Sequence, residues 1–374
     1  MPETAPGGDG FDVLRALALA GRDDRLRSVL FETLRRAEQD ADDPTNFRAN
    51  VRWPIVRSVL AEIKCHRVTL AYGLMCEVEP DSRIEQALLL SSQARPDHVW
   101  EPQTTKLLMA LARETDCILV GGAYIGDHVL YIAQVLAARG SNGVIHAFEP
   151  MSRAFKRLVR NLDLNALDNV VACQAALWDR SDRVQMSGPA ALACAAATVD
   201  GANGAGESVP ALRIDDYVRT EGLASVGFIM LDTEGGEERA LRGAQELLSR
   251  SPTDGPHLVF EVHRHYVDWS CGLDQTPIAQ FLSGNGYTAY AIRDFHDNYS
   301  MADRPIEIIP LDRVYLEGPP HGFNVLATKD ADLVGRLSLR VVKDVSPKLL
   351  VNRNPALHHP LDGLPLPHSW KECA

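Results

Sequence analysis

A parallel-sheet α/β fold is predicted for this 374-residue chain by three observations. Short apolar runs, several ending in Gly or an acid, recur between Cys117 and Thr328. Segments of helical periodicity separate them, and repeated strand–helix units assemble as a parallel sheet with right-handed crossovers. Upstream of residue 99 the apolar spacing is helical instead. The expected organisation is therefore a helical N-terminal region (1–98), an α/β unit (99–328) and a C-terminal tail (329–374), Pro-rich in its later part.

The elements follow in order. Residues 1–10 are acidic and Pro/Gly-rich, and are expected to be a disordered lead. Phe11, Val13, Leu14, Leu17 and Leu19, then Leu26, Val29, Leu30 and Leu34, repeat with helical spacing across 11–40. Residues 46–79 and 84–94 are read as two or three further helices, punctuated by Pro44, Pro54, Pro80 and Pro96. Thr104 and Thr105 can start a helix over 106–113. Cys117–Gly122 (CILVGG) is a buried parallel strand, followed by a helix over 125–139. Gly143–Glu149 (GVIHAFE) is the second strand. Ser152–Asn165 is a helix with Phe155, Leu158, Val159 and Leu162 on one face. Asn169–Ala175 is the third strand, residues 188–208 a Gly/Ala/Ser-rich loop, and Ile214–Arg219 a short helix. Val226–Asp232 is the fourth strand, with a helix over 237–250, and His257–His263 is the fifth. A helix over 276–284 leads to the last two strands, Tyr287–Ile292 and Phe323–Thr328, which makes seven.

Composition narrows the function classes. Hydrophobic residues make up 45% and charged residues 24%, so a core can form and wholesale disorder is disfavoured. A net charge of −12 argues against a nucleic-acid partner gripped by its phosphates and against a polybasic membrane anchor. The cysteine count is odd, at seven, with no CxxC pair, which points to free thiols in a reducing compartment. No secretory leader is recognisable, and no stretch reaches the ~18–20 apolar residues of a membrane span. The longest apolar segment, 117–138, is interrupted by Asp127 and His128. A cytoplasmic location is expected.

The first strand runs into Gly121-Gly122-Ala123-Tyr124-Ile125-Gly126. Glycines there let backbone approach a ligand, and a following helix offers its N-terminal N–H groups. Glu149 ends the second strand, where a carboxylate can accept the two ribose hydroxyls of a nucleoside. A tight turn and a solvent-facing acid would leave the same trace. Together the loop and the acid suit either a dinucleotide or S-adenosylmethionine. The Gly-x-Gly-x-x-Gly spacing is absent, which disfavours an NAD-dependent oxidoreductase.

Ala147-Phe148-Glu149-Pro150, followed by Leu158, Asn161, Leu164-Asn165 and Asn169-Val170, resembles the FkbM family of S-adenosylmethionine-dependent methyltransferases. The resemblance continues through Leu212-x-x-Asp215-Asp216-Tyr217, Phe228-Ile229-x-Leu231-Asp232-x-Glu234-Gly235-x-Glu237, Leu241-x-Gly243-Ala244 and Phe260-Glu261-Val262-His263. It spans roughly residues 100–328. It implies a class I methyltransferase (Rossmann-like) sheet of seven strands, mostly parallel with the last antiparallel. It also implies O-methylation of a hydroxyl on a sugar or other small natural product. Two positions depart from the family pattern: Val120 stands where an Asp helps hold the methionine end of the cofactor, and Tyr124 where an Asn is usual. Glu101 is the candidate to replace the lost carboxylate. By this resemblance the cofactor residues are Glu101, Gly122, Ala123, Tyr124, Gly126, Glu149 and Ala175, while Asp179 can lie near the adenine side or equally cap a turn.

The chemical residues follow the fourth and fifth strands. Asp232 and Glu234 end one, and Glu261, His263 and His265 share one face of the other if it extends that far. Asp232, Glu234 and Glu261 can bind a hard divalent cation such as Mg2+, which would acidify the acceptor hydroxyl. Without metal, His263 is the candidate general base, beside Asp232 and Glu234. Asp232 and Glu234 can equally cap the next helix, and Glu237 and Glu238 are read as structural acids meeting its dipole. Tyr266, Trp269 and Tyr299 can line an acceptor pocket or simply pack, and the His358–His359 pair is read as solvent-facing. The expected partner is a small-molecule acceptor, with pairing of two copies through the N-terminal helices as a further expectation. The competing reading is a cofactor-binding but inactive scaffold, which Val120 and Tyr124 favour and the retained carboxylates oppose.

Overall fold

The computed structural model describes residues 13–63, 65–79, 82–89, 100–140, 142–187, 194–197, 207–294, 304–316 and 322–348. The lead at 1–10, Tyr299 and His358–His359 lie outside the described residues.

The N-terminal region holds α1 (Val13–Gly21), α2 (Asp24–Asp40), α3 (Pro44–Phe47) and α4 (Trp53–Val59), the last two joined by a π-helical turn at Arg48–Arg52. It then departs from the helical reading of residues 46–79. Residues 66–78 form a hairpin of β1 (His66–Thr69) and β2 (Met75–Val78), followed by α5 (Arg83–Leu89). β2 buries alternate residues and β1 alternates half-buried with exposed ones, a period of two in runs of only four. The turn between them places Tyr72 at φ 60° and Gly73 at φ 78°.

The α/β unit begins with α6 (Pro102–Ala112), β3 (Cys117–Gly121), α7 (Val129–Ala138), β4 (Val144–Phe148), α8 (Ser152–Leu164) and β5 (Val170–Cys173). Next come β6 (Ala176–Trp178), β7 (Asp182–Ser187), β8 (Cys194–Ala197), β9 (Glu207–Arg213), α9 (Ile214–Thr220) and β10 (Phe228–Leu231). The chain ends with α10 (Glu237–Arg242), α11 (Gln245–Leu248), β11 (His257–His263), α12 (Pro277–Gly284), β12 (Thr288–Ile292), β13 (Glu307–Pro310), β14 (Gly322–Thr328), α13 (Leu333–Arg336) and β15 (Arg340–Val341).

The main sheet has the order β15-β13-β12-β14-β11-β10-β3-β4-β5. Strands β5, β4, β3, β10 and β11 are parallel neighbours, and β14 runs antiparallel between β11 and β12. The seven expected strands are therefore present, with 322–328 reversed. The sheet is nevertheless nine strands wide, because β13 and β15 extend it beyond β12. Glu307–Pro310 and Arg340–Val341 are too short to carry a period-two signal. Part of the expected tail is thus sheet. The expected 188–208 loop contains β8 and leads into β9 of a separate sheet ordered β6-β9-β7-β8. The single helix expected over 237–250 is split at Gly243, where a Cβ would lie 2.2 Å from the Trp178 carbonyl oxygen.

Both faces of the main sheet are covered, so its central strands are apolar throughout. Ile118, Val120, Phe228 and Met230 point into one core, and Leu119, Ile229, Leu231 and Phe260 into the other. The β3–β4–β5 order turns back at β3, where β10 takes the other side. That reversal opens a crevice beyond the carboxyl ends of the strands. Gly122 is the closest approach there. Its φ is +76°, and a Cβ would sit 1.7 Å from the Asp232 carbonyl oxygen. Gly122→Ala is therefore expected to cost at least ~3 kcal/mol by thermal denaturation. Gly140→Ala, which has φ +66° but nothing within 4 Å of its Cβ, should cost only ~1 kcal/mol. Equal losses would show that the close approach is not the constraint.

Candidate active site

The glycine loop holds the second strand more than it reaches outward. The Gly122 and Ala123 N–H groups both donate to the Phe148 carbonyl, each at 2.9 Å. Helix α7 begins at Val129 rather than at residue 125, and His128 and Val129 at its start border the crevice. Tyr124 lies in the left-handed region, at φ 44°, and its N–H donates to Glu149 Oε2 at 2.9 Å. Met151 N–H donates to Glu149 Oε1 at 2.8 Å. Each Glu149 oxygen accepts one of these backbone bonds and keeps a second lone-pair direction. Burial pushes its carboxyl up to about 7, against the two N–H donors.

Glu149 faces an open crevice of about 830 Å³, part of it continuous with solvent. Its apolar lining includes Met151, Ala175, Ala176, Leu177, Trp178 and Met186. Its charged and polar lining includes Asp127, His128, Asp232 and Glu234. Trp178 Nε1 is buried in the apolar lining without a hydrogen-bond partner. His128 Nδ1 pairs with Thr105 Oγ1 at 2.9 Å, while its Nε2 stands 3.5 Å from Glu101 Oε2, beyond a good hydrogen bond. Burial pushes His128 down, but Glu101 and Asp127 together hold it above its usual range.

Among the described residues, Asp232, Glu234 and Glu261 bring one carboxylate oxygen each within 4.8 Å of one another. Gly322, on the neighbouring strand, makes room for Glu261, since a Cβ there would lie 1.7 Å from its Oε1. Burial raises Asp232 and Glu261, and mutual repulsion adds to it, with Glu101 and Glu234 contributing to both. Burial raises Glu234 to about 7, although the Tyr266 hydroxyl donates to its Oε2 at 3.2 Å. Glu237 is buried and accepts Thr233 N–H at 2.7 Å, Thr233 Oγ1 at 2.9 Å and Gly235 N–H at 3.1 Å. It closes the turn after β10 and is structural. Glu238 pairs with Arg242 on the helix surface.

Strand β11 stops at His263, so His265 lies in the following turn and not on the shared strand face. Its ring stacks on that of His263 with centroids 4.7 Å apart. The His265 N–H donates to His263 Nδ1 at 3.1 Å, which leaves the proton of a neutral imidazole on Nε2. Burial lowers His263 to about 4, with His265 and Lys348 adding to the shift.

Of the sequence candidates, Gly122, Ala123, Tyr124, Glu149, Ala175, Asp232 and Glu234 line the cavity. Gly126 shapes the turn at φ +93°. Glu101 lies behind the cavity wall, accepting from Asn324 Nδ2 at 2.6 Å, and Glu261 and His263 are outside the lining. Asp179 pairs with Arg239 at 2.8 Å. Trp269 packs on Phe323 with ring centroids 5.6 Å apart. Sequence reasoning missed Asp127, His128, Trp178 and Met186. Asp127 and His128 did leave a signal, as two charged residues inside the longest apolar run.

Residues 121–289 match the methyltransferase FkbM domain. That stretch contains the sequence blocks that resemble this family, on a sheet with the expected reversed strand. No curated protein sequence matches the chain. Similar solved structures include an S-adenosylmethionine-dependent methyltransferase from Agrobacterium tumefaciens (11% identity, 71% of this chain and 71% of that one, TM-score 0.37). Another is an O-methyltransferase from Bacillus cereus in complex with S-adenosylhomocysteine (17%, 67% and 91%, TM-score 0.35). A third is TomG from Streptomyces achromogenes, an O-methyltransferase involved in tomaymycin synthesis, in complex with S-adenosylmethionine (15%, 68% and 92%, TM-score 0.34). Among the described residues no helix is long and apolar enough to cross a membrane.

The raised Glu149 fixes the sign of a pH dependence. Its folded value, about 7, exceeds the ordinary 4.5, so the folded protein holds this proton more tightly than the unfolded chain. Its contribution is full below the unfolded value and is lost as pH rises through about 7. In denaturant unfolding of the ligand-free protein this group should account for a loss on the order of 2 kcal/mol between about pH 5.5 and 8, alongside Glu234 and Asp294, which burial also raises to about 7. Glu149→Gln should remove that share of the loss. An unchanged slope in the variant would place the titration elsewhere.

Proposed function

We propose that the protein transfers a methyl group from S-adenosylmethionine to a hydroxyl of a sugar or other small natural product. The observation that carries this is Glu149, held by two backbone N–H groups in the same cavity as Asp232 and Glu234. The cavity fits the donor in kind. It joins an apolar lining, a carboxylate with open acceptor sites and further charged groups, and its walls bury an unpartnered indole N–H. When bound, S-adenosylmethionine supplies an electrophilic methyl on a sulfonium.

The chain's residues do the rest. Glu149 accepts the ribose hydroxyls, and Ala175 lies with Trp178 along the apolar lining for the base. Gly122, Ala123, Tyr124 and Gly126 hold the turn that sets Glu149. Val120 offers no carboxylate to the methionine end, and Asp127, with Glu101 behind it, takes that place. Asp232 and Glu234 orient the acceptor and take its proton. His263 presents an N–H at Nε2 in its present tautomer and lies outside the cavity lining, so the base role passes to Asp232. Alignment and proton removal are the main demands of an in-line methyl transfer.

A second reading concerns metal dependence. The three clustered carboxylates are hard oxygen donors suited to Mg2+, which would acidify the acceptor hydroxyl. Loss of methyl transfer on chelation, restored by magnesium, supports it. Transfer indifferent to chelation leaves Asp232 as base without metal.

The same reading takes a small molecule as partner, and net charge −12 supports excluding nucleic acid. Exposed Val13, Leu14 and Leu19 on α1 with Leu26 and Val29 on α2 support pairing of two copies, which sedimentation would test. Free cysteines at 65, 76, 117, 173 and 271 support a reducing, cytoplasmic setting.

Titration calorimetry with S-adenosylhomocysteine should give micromolar binding, about −8 kcal/mol. Glu149→Ala should weaken it at least ~100-fold, because a charged hydrogen-bond acceptor is lost. Absence of binding in the wild type would put the inactive-scaffold reading first. Asp232→Asn should lower kcat about 10²–10⁴-fold on a responsive hydroxyl acceptor. Full activity in that variant would remove Asp232 from the chemistry.

A further inference from the structure

We propose that Glu85, in the N-terminal region, is a positioning residue for cofactor binding: it holds the Tyr124 hydroxyl, and through Tyr124 it sets the backbone N–H that fixes Glu149. This rests on the S-adenosylmethionine reading of the cavity and deepens it.

The contacts form one chain. Glu85 is fully buried on α5, next to Ile84, which lines the cavity. Tyr124 Oη donates to Glu85 Oε1 at 2.5 Å. Arg157, on α8, donates to the same oxygen at 3.1 Å and pairs with Glu85 Oε2, so the buried carboxylate meets a cation. Burial and the neighbouring Glu85 raise the Tyr124 hydroxyl, which keeps it a donor. The other end of Tyr124 is the N–H that binds Glu149 Oε2. A non-glycine residue at φ 44° is held there at a cost of roughly 1–2 kcal/mol, so something outside the loop must fix it. The Glu85–Arg157 pair does so.

The next loop residue is tied to the same region. Asn161 Nδ2 donates to the Ile125 carbonyl at 2.8 Å, and its Oδ1 accepts the Glu77 N–H of β2 at 2.8 Å. Two consecutive loop residues are thus anchored to the hairpin and α5. The region before residue 98 is a supporting wall of the cofactor site, and the Tyr at 124 makes chemical sense only with Glu85 behind it.

The test uses the full chain with Tyr124→Phe, Glu85→Gln and Glu85→Ala. Two readouts are taken. One is affinity for S-adenosylhomocysteine and for its analogue lacking both ribose hydroxyls. The other is hydrogen exchange of loop 122–126 without ligand. Losing one hydrogen bond should weaken S-adenosylhomocysteine about tenfold in Tyr124→Phe and Glu85→Ala, with the analogue changed less than about twofold. Glu85→Gln keeps an acceptor oxygen and should fall between wild type and Glu85→Ala. Loop exchange should speed up by about tenfold in the same order. Equal weakening of both ligands would show a merely structural role and overturn the proposal, as would unchanged affinity. If the wild type binds no S-adenosylhomocysteine, the cofactor reading fails separately, and loop exchange then decides whether Glu85 fixes Tyr124. Should Glu85→Ala not fold, Tyr124→Phe and Glu85→Gln carry the comparison.

Discussion

The crevice depends on the backbone of Gly122 lying directly against the carbonyl of Asp232, with no room for a side chain between them. That contact joins the first and fourth parallel strands at their carboxyl ends. It places the loop that fixes Glu149 and the carboxylates after β10 on one cavity. The adjacent Gly121 carbonyl accepts the Asp232 N–H at 3.0 Å, which closes the same seam from the other side. A larger residue at 122 would separate Glu149 and its loop from Asp232 and Glu234.

The second constraint is electrostatic. Asp127, Asp232, Glu234 and Glu261 crowd together, with Glu101 behind them, and burial raises each of the first four. Asp294 adds another buried carboxyl, raised by burial to about 7 while it accepts the Gln103 and Thr104 N–H groups at the start of α6. Such a concentration of like charge disfavours the empty ionised state. It is relieved by protons or by a cation. A sulfonium donor, an ammonium group or a divalent metal would each be welcomed by the same field, so the site's instability in isolation and its capacity to bind have one cause.

Much of this was legible in the sequence because the central strands are continuous apolar runs. His257–His263 was bounded correctly at both ends, and Cys117–Gly122 was one residue too long. Glu149, Asp232 and Glu234 were legible as lining residues because strand ends at a topological switch border the crevice. The hairpin at 66–78 was not, since its four-residue strands and its Tyr72-Gly73 turn carry none of the usual Asn-Gly signal. Trp178 and Met186 escaped for a related reason: their short strands pair at a distance along the chain, Trp178 with Arg213 and Met186 with Glu207. Glu85 was invisible, because an acid on a short helix reads as solvent-facing until Arg157 and Tyr124 are seen to bury it. The tautomer of His263 depends on a backbone N–H in a turn, which no spacing rule reports.

Taken together, the N-terminal hairpin and α5 brace the glycine loop, the loop braces Glu149, and the β3–β10 seam brings Glu149 and Asp232 to one cavity. The most direct measurement is a crystal structure of the full chain with S-adenosylhomocysteine. The account predicts the ribose hydroxyls on Glu149, the base along Ala175–Trp178 and the sulfur directed toward Asp232 and Glu234. A ligand bound elsewhere, or a crevice left empty at saturating concentration, would contradict it.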